Sequence, residues 1–498
     1  MNVNPITRLD YPDLDVIRVE DTYYMVSTTM HFMPGCEILQ SFDLVHWEHA
    51  TYVYETLDHT DAQQLKSGQN IYGQGMWAAS LRYHEGRFCI CFVANDTRKT
   101  YLYTSEKIDG PWKKQLIEGF YHDGSLLFDE DGRNYIVYGN DEIWITELNE
   151  DLTAPKKDGL HRLLVSDHKN PELGYEGSHI QKINGYYYIF LIHSLRDRWM
   201  RTEACFYSDS LEGEFTGGDV LCDDRGYCGQ GVAQGGIVDT PDGKWYAMLF
   251  QDSGAVGRIP ILVPVTWKDH FPFFGQNGHV PEEIEVHSTR PGYIYQPLVG
   301  SDDFCNGLLP RWQFNHDPDP RYYHLDALQG TYTITTREVC TELTQAVNTL
   351  TQRMSYPSCA AEVTVDASAL KEGDVAGLCA LQSCYAAVGI TKHHGKYEVL
   401  MLDKKEDGIL DMTEGTVVES HQMDFRLEAD FCNMKDEARC YYRVNKGDWL
   451  PIGTVHKLYF KLDHFTGCRF GLFCYAAEET GGSACFRDFK YYDVDEIS

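Results

Sequence analysis

The sequence predicts an all-β chain, a five-bladed β-propeller followed by a second, antiparallel β domain. Three observations carry that expectation. Helical periodicity is nearly absent, and short alternating strands between turn formers run through the chain. One strand–turn–strand pattern recurs five times before residue 260. Near residue 290 that pattern stops and a different set of alternating strands begins.

The five copies are DVIRVEDTYYMVS, ASLRYHEGRFCICFV, GSLLFDEDGRNYIVYG, SHIQKINGYYYIFLI and GGIVDTPDGKWYAMLF. Their turns, EDT, HEG, DEDG, NG and PDG, have the chemistry of hairpin connections. With Tyr24, Phe88, Tyr135, Tyr187 and Trp245 as anchors, the spacings are 64, 47, 52 and 58 residues. Repeats of about 40–60 residues built from hairpins are propeller blades. Five copies imply five blades, expected within residues 1–295. The stretch HSTRPGYIYQPLVGSDDF, rich in turn formers, reads as the connector. Residues 296–498 then form the second domain, with strands such as GTYTITTR, AAEVTVDAS, YEVLMLD and FGLFCYA.

Counting back from the anchors places five residues at one equivalent position. Eleven residues before four of the anchors stand Asp13, Trp77, Glu176 and Gln234, and the longer third turn brings Asp123 into the set at twelve. Equivalent positions in five blades form a ring around the axis, at the start of each innermost strand. A single acid there is usually a solvated loop carboxylate. Three in register repel one another and cost stability, so they mark a functional site. Asp15 and Glu172 lie outside the register and are expected to be ordinary surface residues.

Composition narrows the partners. The 498 residues carry 43 Lys and Arg against 75 Asp and Glu, a net charge of −32. Such a chain repels nucleic acid and anionic membrane surfaces alike. No apolar run approaches the roughly 18 residues that span a bilayer. The N-terminal MNVNPITRLDYPDLD has neither a basic nor an apolar leader segment, so a cytoplasmic location is expected. The sixteen cysteines sit singly, many inside apolar strands, and read as small hydrophobes in a reducing compartment. GQGVAQGG precedes no helix and makes no phosphate cradle, and the alternating prolines of DPDP mark a rigid loop. Homo-oligomers remain compatible with all of this.

Two carboxylates facing each other across a pocket are the machinery of glycoside hydrolysis, one giving a proton and the other activating water or attacking carbon. A third acid beside the proton donor is expected to raise its pKa by like-charge repulsion. Trp77 is placed to stack on a sugar ring. The segments YPDLDVIRVEDTYYMVSTTMHFMPG, MWAASLRYHEGRF, HDGSLLFDEDGRNYIVYG, YEGSHIQKINGYYYIF, GGIVDTPDGKWYAMLF and VGRIPILVPVTW, in this order, resemble glycoside hydrolase family 43. The resemblance covers roughly residues 4–290, and the whole chain is similar to the family's two-domain β-xylosidase and α-L-arabinofuranosidase branch. It implies a concanavalin-like β-sandwich for the second domain, and an exo-acting, inverting hydrolase. Such an enzyme releases terminal β-D-xylose, α-L-arabinofuranose or both from short oligosaccharides.

Residue by residue, the resemblance implies Asp13 as general base, Asp123 as the pKa-modulating and orienting acid, and Glu176 as general acid. It implies Arg258 as a sugar contact, and Met30, His31, Phe32 and Trp77 as pocket lining. Gln234 stands where many members carry a histidine that holds a central calcium. A neutral amide is a weak metal ligand, so no metal is assigned and no cofactor is expected to be required. Met30 stands where many β-xylosidases of the family have Phe, which softens the pocket floor. A retaining fructan- or sucrose-type glycosidase also uses five blades and three acids, but its WMNDPNG-like opening and RDP segment are missing. A non-catalytic sugar binder leaves the intact acid trio without a purpose. The second domain is expected either to brace the propeller or to narrow its mouth through WQFNHDPDPRYYHL.

Overall fold

The computed structural model describes residues 2–493. Its first part is a five-bladed β-propeller. Blade 1 consists of Asp15–Val19, Thr22–Val26, Gly35–Ser41 and Glu48–Tyr54. Blade 2 is Met76–His84, Arg87–Ala94, Lys99–Ser105 and Lys113–Ile117; blade 3 is Ser125–Phe128, Asn134–Asn140, Glu142–Leu148 and His161–Ser166. Blade 4 follows with Glu176–Ile183, Tyr186–Ser194, Arg201–Ser208 and Thr216–Leu221. In blade 5 the innermost strand is split into Val232–Ala233 and Ile237–Asp239, both paired with Trp245–Asp252, before Arg258–Lys268 and Phe271–Phe274.

Every pairing is antiparallel, and the sequence anchors all lie on the second strand of their blades. Tyr24 stands opposite Ile17, Phe88 opposite Tyr83, Tyr135 opposite Leu127, Tyr187 opposite Lys182 and Trp245 opposite Asp239. The NG turn shows why the hairpins form where they do. Asn184 and Gly185 both have positive φ, 50° and 84°, the backbone a two-residue turn needs to match strand twist. The circle closes through the N-terminal segment. Asn2–Val3 pairs with Glu283–Ile284, and the Asn4 side chain donates to Leu262 O and accepts from Leu262 N on blade 5.

The second domain is a sandwich of two antiparallel sheets. One has seven strands: Tyr323–Asp326, Thr331–Thr335, Ser483–Asp493, Ser358–Asp366, Gln422–Asp430, Glu437–Val444 and Leu450–Lys457. The other runs from Leu410–Met412 through Lys396–Lys404, Tyr385–His393, Asp374–Leu381, Arg469–Ala476 and Leu350–Arg353 to Gln313–Asn315. Its last strand comes from the propeller. Phe32–Met33, in the loop between the second and third strands of blade 1, pairs with Phe314 and Asn315. The two domains therefore share a sheet.

The main sandwich core, with Val363, Val365, Leu378, Ile390, Phe425, Leu472 and Phe486, also takes in Ala255, Val256 and Ile259 of blade 5. Buried ion pairs continue the seam: Arg353 reaches Glu37 at 2.8 Å and the Asp10 carbonyl at 2.9 Å. All sixteen cysteines are unpaired and eleven are buried, as small hydrophobes would be.

Candidate active site

The five ring residues gather at one end of the propeller axis, and the backbone explains how. Asp13, Asp123 and Gln234, in blades 1, 3 and 5, have φ of 50°, 48° and 61°. In blades 2 and 4 the left-handed residue is the next one, Ala78 at 35° and Gly177 at 64°. Register shifts at Trp77/Ser80 and Glu176/His179 accompany them. Each blade thus makes one sharp turn as its innermost strand begins, and that turn aims the ring side chain across the funnel. Left-handed non-glycine residues cost free energy and cluster where function requires them. A Cβ at Gly177 would meet the Gln234 side chain at 2.7 Å, on a backbone already left-handed.

Asp13 is 4% exposed. One of its oxygens accepts the Thr28 hydroxyl at 2.7 Å, and the other takes the Arg258 guanidinium. Arg258 opens the third strand of blade 5. Its Nε lies 3.2 Å from Asp252, whose second oxygen lies 3.0 Å from Arg201 Nε. Burial opposes the charge on Arg258, but Asp13, Asp252 and Glu176 outweigh it and hold the guanidinium more firmly protonated than usual. This network fixes the geometry of the Asp13 carboxylate from two sides.

Across the funnel, Asp123 Oδ2 accepts the Gly177 N–H at 2.9 Å, and Asn140 donates to Glu176 Oε2 at 2.7 Å. His122 stands between the two acids, its Nε2 3.6 Å from both Asp123 Oδ2 and Glu176 Oε2. The Asp123 carboxylate raises the imidazole to about 9 against the cost of burial, with Glu176 adding to the effect. Burial, with Glu176 and Asp13 nearby, pushes Asp123 up to about 6 although His122 pulls it down. Burial favours a protonated Glu176 too, but His122 and the charges of Arg201 and Arg258 prevail and hold it below the usual range. The expected upward push on Glu176 is therefore not what the free site shows. The imidazolium, which the acid count left out, reverses its sign.

The donor atoms of His122, Asp123 and Glu176 lie within 4.8 Å of one another, close enough for three ligands of one ion. Any ion there would compete with a proton for His122, whose imidazole the neighbouring carboxylates raise to about 9.

The sandwich domain enters the site through Phe465. Its ring lies 3.9 Å from the Arg258 guanidinium carbon and 5.2 Å from the Trp77 ring, edge to face. The neighbouring residues seat this loop: Gly467 N donates to Asp10 at 2.8 Å, and Asp10 also accepts the Arg258 N–H at 2.7 Å. Phe465 thus covers the Asp13–Arg258 side, while Trp77, His122 and Glu176 keep partly exposed surface on the other.

Met30, His31 and Phe32 lie behind this wall with essentially no exposed surface. Met30 Sδ accepts the Thr466 hydroxyl at 3.5 Å. His31 packs on His316 and His464 at 4.8 and 5.5 Å, and Phe32 lies 3.5 Å beneath the Arg469 guanidinium. They seat the sandwich loop on blade 1. The WQFNHDPDPRYYHL segment joins the same seam: Ile71 N donates to His316 Nε2 at 3.0 Å, and Asp317 faces His59 at 2.9 Å. Gln234 is 3% exposed, its N–H donating to Glu203 at 2.7 Å.

Asp15 corrects the sequence reading. It is no surface residue but fully buried near the axis, paired with Arg82 at 2.7 Å. Glu172 is exposed, as expected. Sequence reasoning also passed over Thr28, His122, Asn140, Arg201, Asp252 and Phe465. His122 alone had a local signal, standing next to a ring acid.

The profile of glycosyl hydrolases family 43 matches residues 3–272. The chain belongs to this family. Residues 301–492 match the β-xylosidase C-terminal concanavalin A-like domain. Among solved structures, a bifunctional GH43-CE protein of Bacteroides eggerthii superposes with a TM-score of 0.91 at 42% identity over 100% of this chain. The chain spans 64% of the length of that protein. A β-xylosidase of Formosa agariphila is 26% identical over 99% of this chain and 89% of its own. A non-reducing end α-L-arabinofuranosidase of Bacteroides ovatus is 24% identical over 82% of this chain and 79% of its own. This family 43 member thus has the propeller and the concanavalin-like sandwich that its sequence implied.

Proposed function

We propose that this glycosidase removes terminal β-D-xylose, α-L-arabinofuranose or both from short oligosaccharides, by a single displacement with inversion. The observation that carries the reading is the division of the ring into two charged halves. On one side the Asp13 carboxylate is bound by the Arg258 guanidinium and the Thr28 hydroxyl. On the other, the polar atoms of Asp123, His122 and Glu176 gather within 4.8 Å of one another. One half is built to accept a proton and the other to give one.

In this reading Glu176, with Asn140 fixing one oxygen, gives its proton to the leaving oxygen as the glycosidic bond breaks. Water on the opposite face gives its proton to Asp13 and bonds to the anomeric carbon. The proton Glu176 delivers is drawn from Asp123 and His122 once a bound sugar displaces water and the carboxylate loses its solvation. Trp77 supplies an aromatic face for the ring, and Phe465, stacked on Arg258, narrows the funnel. A narrowed funnel admits a chain end and excludes the middle of a polymer. The relatives named for β-xylosidase and α-L-arabinofuranosidase activity support both sugars. A cytoplasmic enzyme acting on imported oligosaccharides fits the unpaired cysteines.

Aryl β-D-xyloside and aryl α-L-arabinofuranoside turnover by purified protein tests the substrate class. Proton NMR of the first product tests the stereochemistry. The two carboxylates of an inverting enzyme stand roughly 6.5–9.5 Å apart, and α-xylose is then the first product of a β-xyloside. β-Xylose first would make Asp13 a nucleophile and end the single-displacement reading.

A further inference from the structure

One largely buried cation in the propeller is used by none of the steps above. Arg82, on the innermost strand of blade 2, sends its guanidinium across the axis to three other blades. Nη1 donates to Asp15 Oδ2 at 2.7 Å and to Leu81 O at 2.6 Å. Nη2 donates to Ser125 Oγ at 2.7 Å and to Ile180 O at 3.1 Å, and Nε to Leu126 O at 2.8 Å. All five donors of the fork are engaged. The partners stand close to the ring acids in sequence: Asp15 two residues after Asp13, Ser125 two after Asp123, Ile180 four after Glu176. One side chain therefore ties together the strands that carry all three carboxylates.

Arg82 also closes the axis. Beneath it a cavity of about 450 Å³ opens, lined by residues of all five blades, among them Val16, Leu127, Gln181 and Ile237. Above it Asp15 is completely buried, its remaining bonds coming from the Val16 and Leu81 amides. The guanidinium thus separates the catalytic funnel from the opposite mouth of the propeller.

A central metal does not fit this donor set. The oxygens that face the axis at this level, from Asp15, Ser125, Leu126 and Ile180, are occupied by the Arg82 donors.

We propose that Arg82 is the positioning residue of the catalytic ring, a cation built into the chain that sets the spacing of Asp13, Asp123 and Glu176 and takes up the oxygens a central metal would need. The kinetic part rests on the function proposed above, and the metal part stands apart from it. Two measurements on the full chain test the metal part: elemental analysis of protein purified without a metal affinity tag, and thermal unfolding with and without added calcium. We expect far less than one calcium per chain and no shift in Tm. Chelation should change turnover by less than about tenfold. A tightly bound calcium whose removal abolishes activity overturns the proposal.

Arg82→Met and Arg82→Lys test the positioning. Arg82→Met should lower kcat by about a hundredfold or more while KM stays within about threefold, because misplaced acids slow the chemistry more than binding. Should Arg82→Met fail to fold, Arg82→Lys keeps the charge but not the five-donor fork. It should then lose kcat at nearly unchanged Tm, with the pH profile of kcat displaced as the acids shift. Full kcat and an unchanged pH profile in either folded variant overturn the proposal. Wild-type protein that turns over neither aryl glycoside instead defeats the function reading, and the calcium measurements still decide the metal.

Discussion

Four histidines in two regions of this molecule, half-buried His122 and buried His31, His316 and His464, respond to their surroundings in opposite ways. His122, in the catalytic ring, is raised to about 9, chiefly by the Asp123 carboxylate. His31, His316 and His464, in the seam between the domains, are all lowered by burial, His316 to about 3 and His464 to about 4. The seam histidines face one another and Tyr72. Desolvation disfavours charge in both places, and only in the ring do carboxylates repay it. The ring therefore concentrates charge for chemistry. The seam is neutral at its centre, where its task is to seat Phe465 against Arg258.

The largest effect expected from breaking the ring is Asp13→Asn. Without a base for the attacking water, turnover should fall at least a thousandfold on every substrate. Steady-state rates on aryl and natural glycosides measure it, and a variant with full activity moves the base elsewhere.

Glu176→Gln should be nearly as harmful on xylo-oligosaccharides but much milder on an aryl glycoside with a very good leaving group, which needs no proton. Equal losses on both substrates would falsify the proton-donor role.

Phe465→Ala crosses the boundary between the regions. It should cost about tenfold to a hundredfold in kcat/KM by opening the Arg258 side of the funnel, with only a modest fall in Tm. The converse, His31→Ala, should lower Tm by several degrees through the cavity it leaves, with a smaller effect on kcat. Differential scanning calorimetry beside kinetics separates the two; an inverted pattern breaks the division drawn here.

The smallest expected effects are in pH dependence. In the ring, kcat/KM should decline as pH rises through about 6, where the Asp123 proton leaves the cluster, and His122→Asn should displace that limb. In the seam, the folded-state histidines have depressed pKa values. Their stabilisation is complete above the unfolded value of about 6.5 and drains away as pH falls toward 4. Asp10, raised to about 6 by burial, acts in the opposite sense over part of that range. His464→Phe should accordingly flatten the acid side of a Tm–pH curve, and an unchanged slope removes His464 from the account.

Much of the propeller is written locally. A hairpin turn, an apolar alternation and an aromatic anchor all lie within some fifteen residues, so five blades can be counted without coordinates. The ring position comes with the register, because each blade repeats the same distance between turn and anchor. Asp13, Trp77, Asp123, Glu176 and Gln234 were legible for that reason. Asp15 was misread because register says nothing about what lies deeper on the axis, where the Arg82 guanidinium makes a buried carboxylate tolerable.

Composition, turn chemistry and repeat spacing thus determined the fold class, the number of blades and the five residues of the ring. Tertiary structure decided how those residues are charged and covered. The Arg258–Asp13 bond joins positions 245 residues apart, and the Met30–Thr466 contact joins positions 436 apart. No periodicity connects such pairs, because they form only when blade 5 closes on blade 1 and the sandwich completes its sheet with Phe32–Met33. Even His122, adjacent in sequence to Asp123, took its meaning from the fold. Its charge, set chiefly by Asp123, is reinforced by Glu176, which only blade closure brings within 3.6 Å.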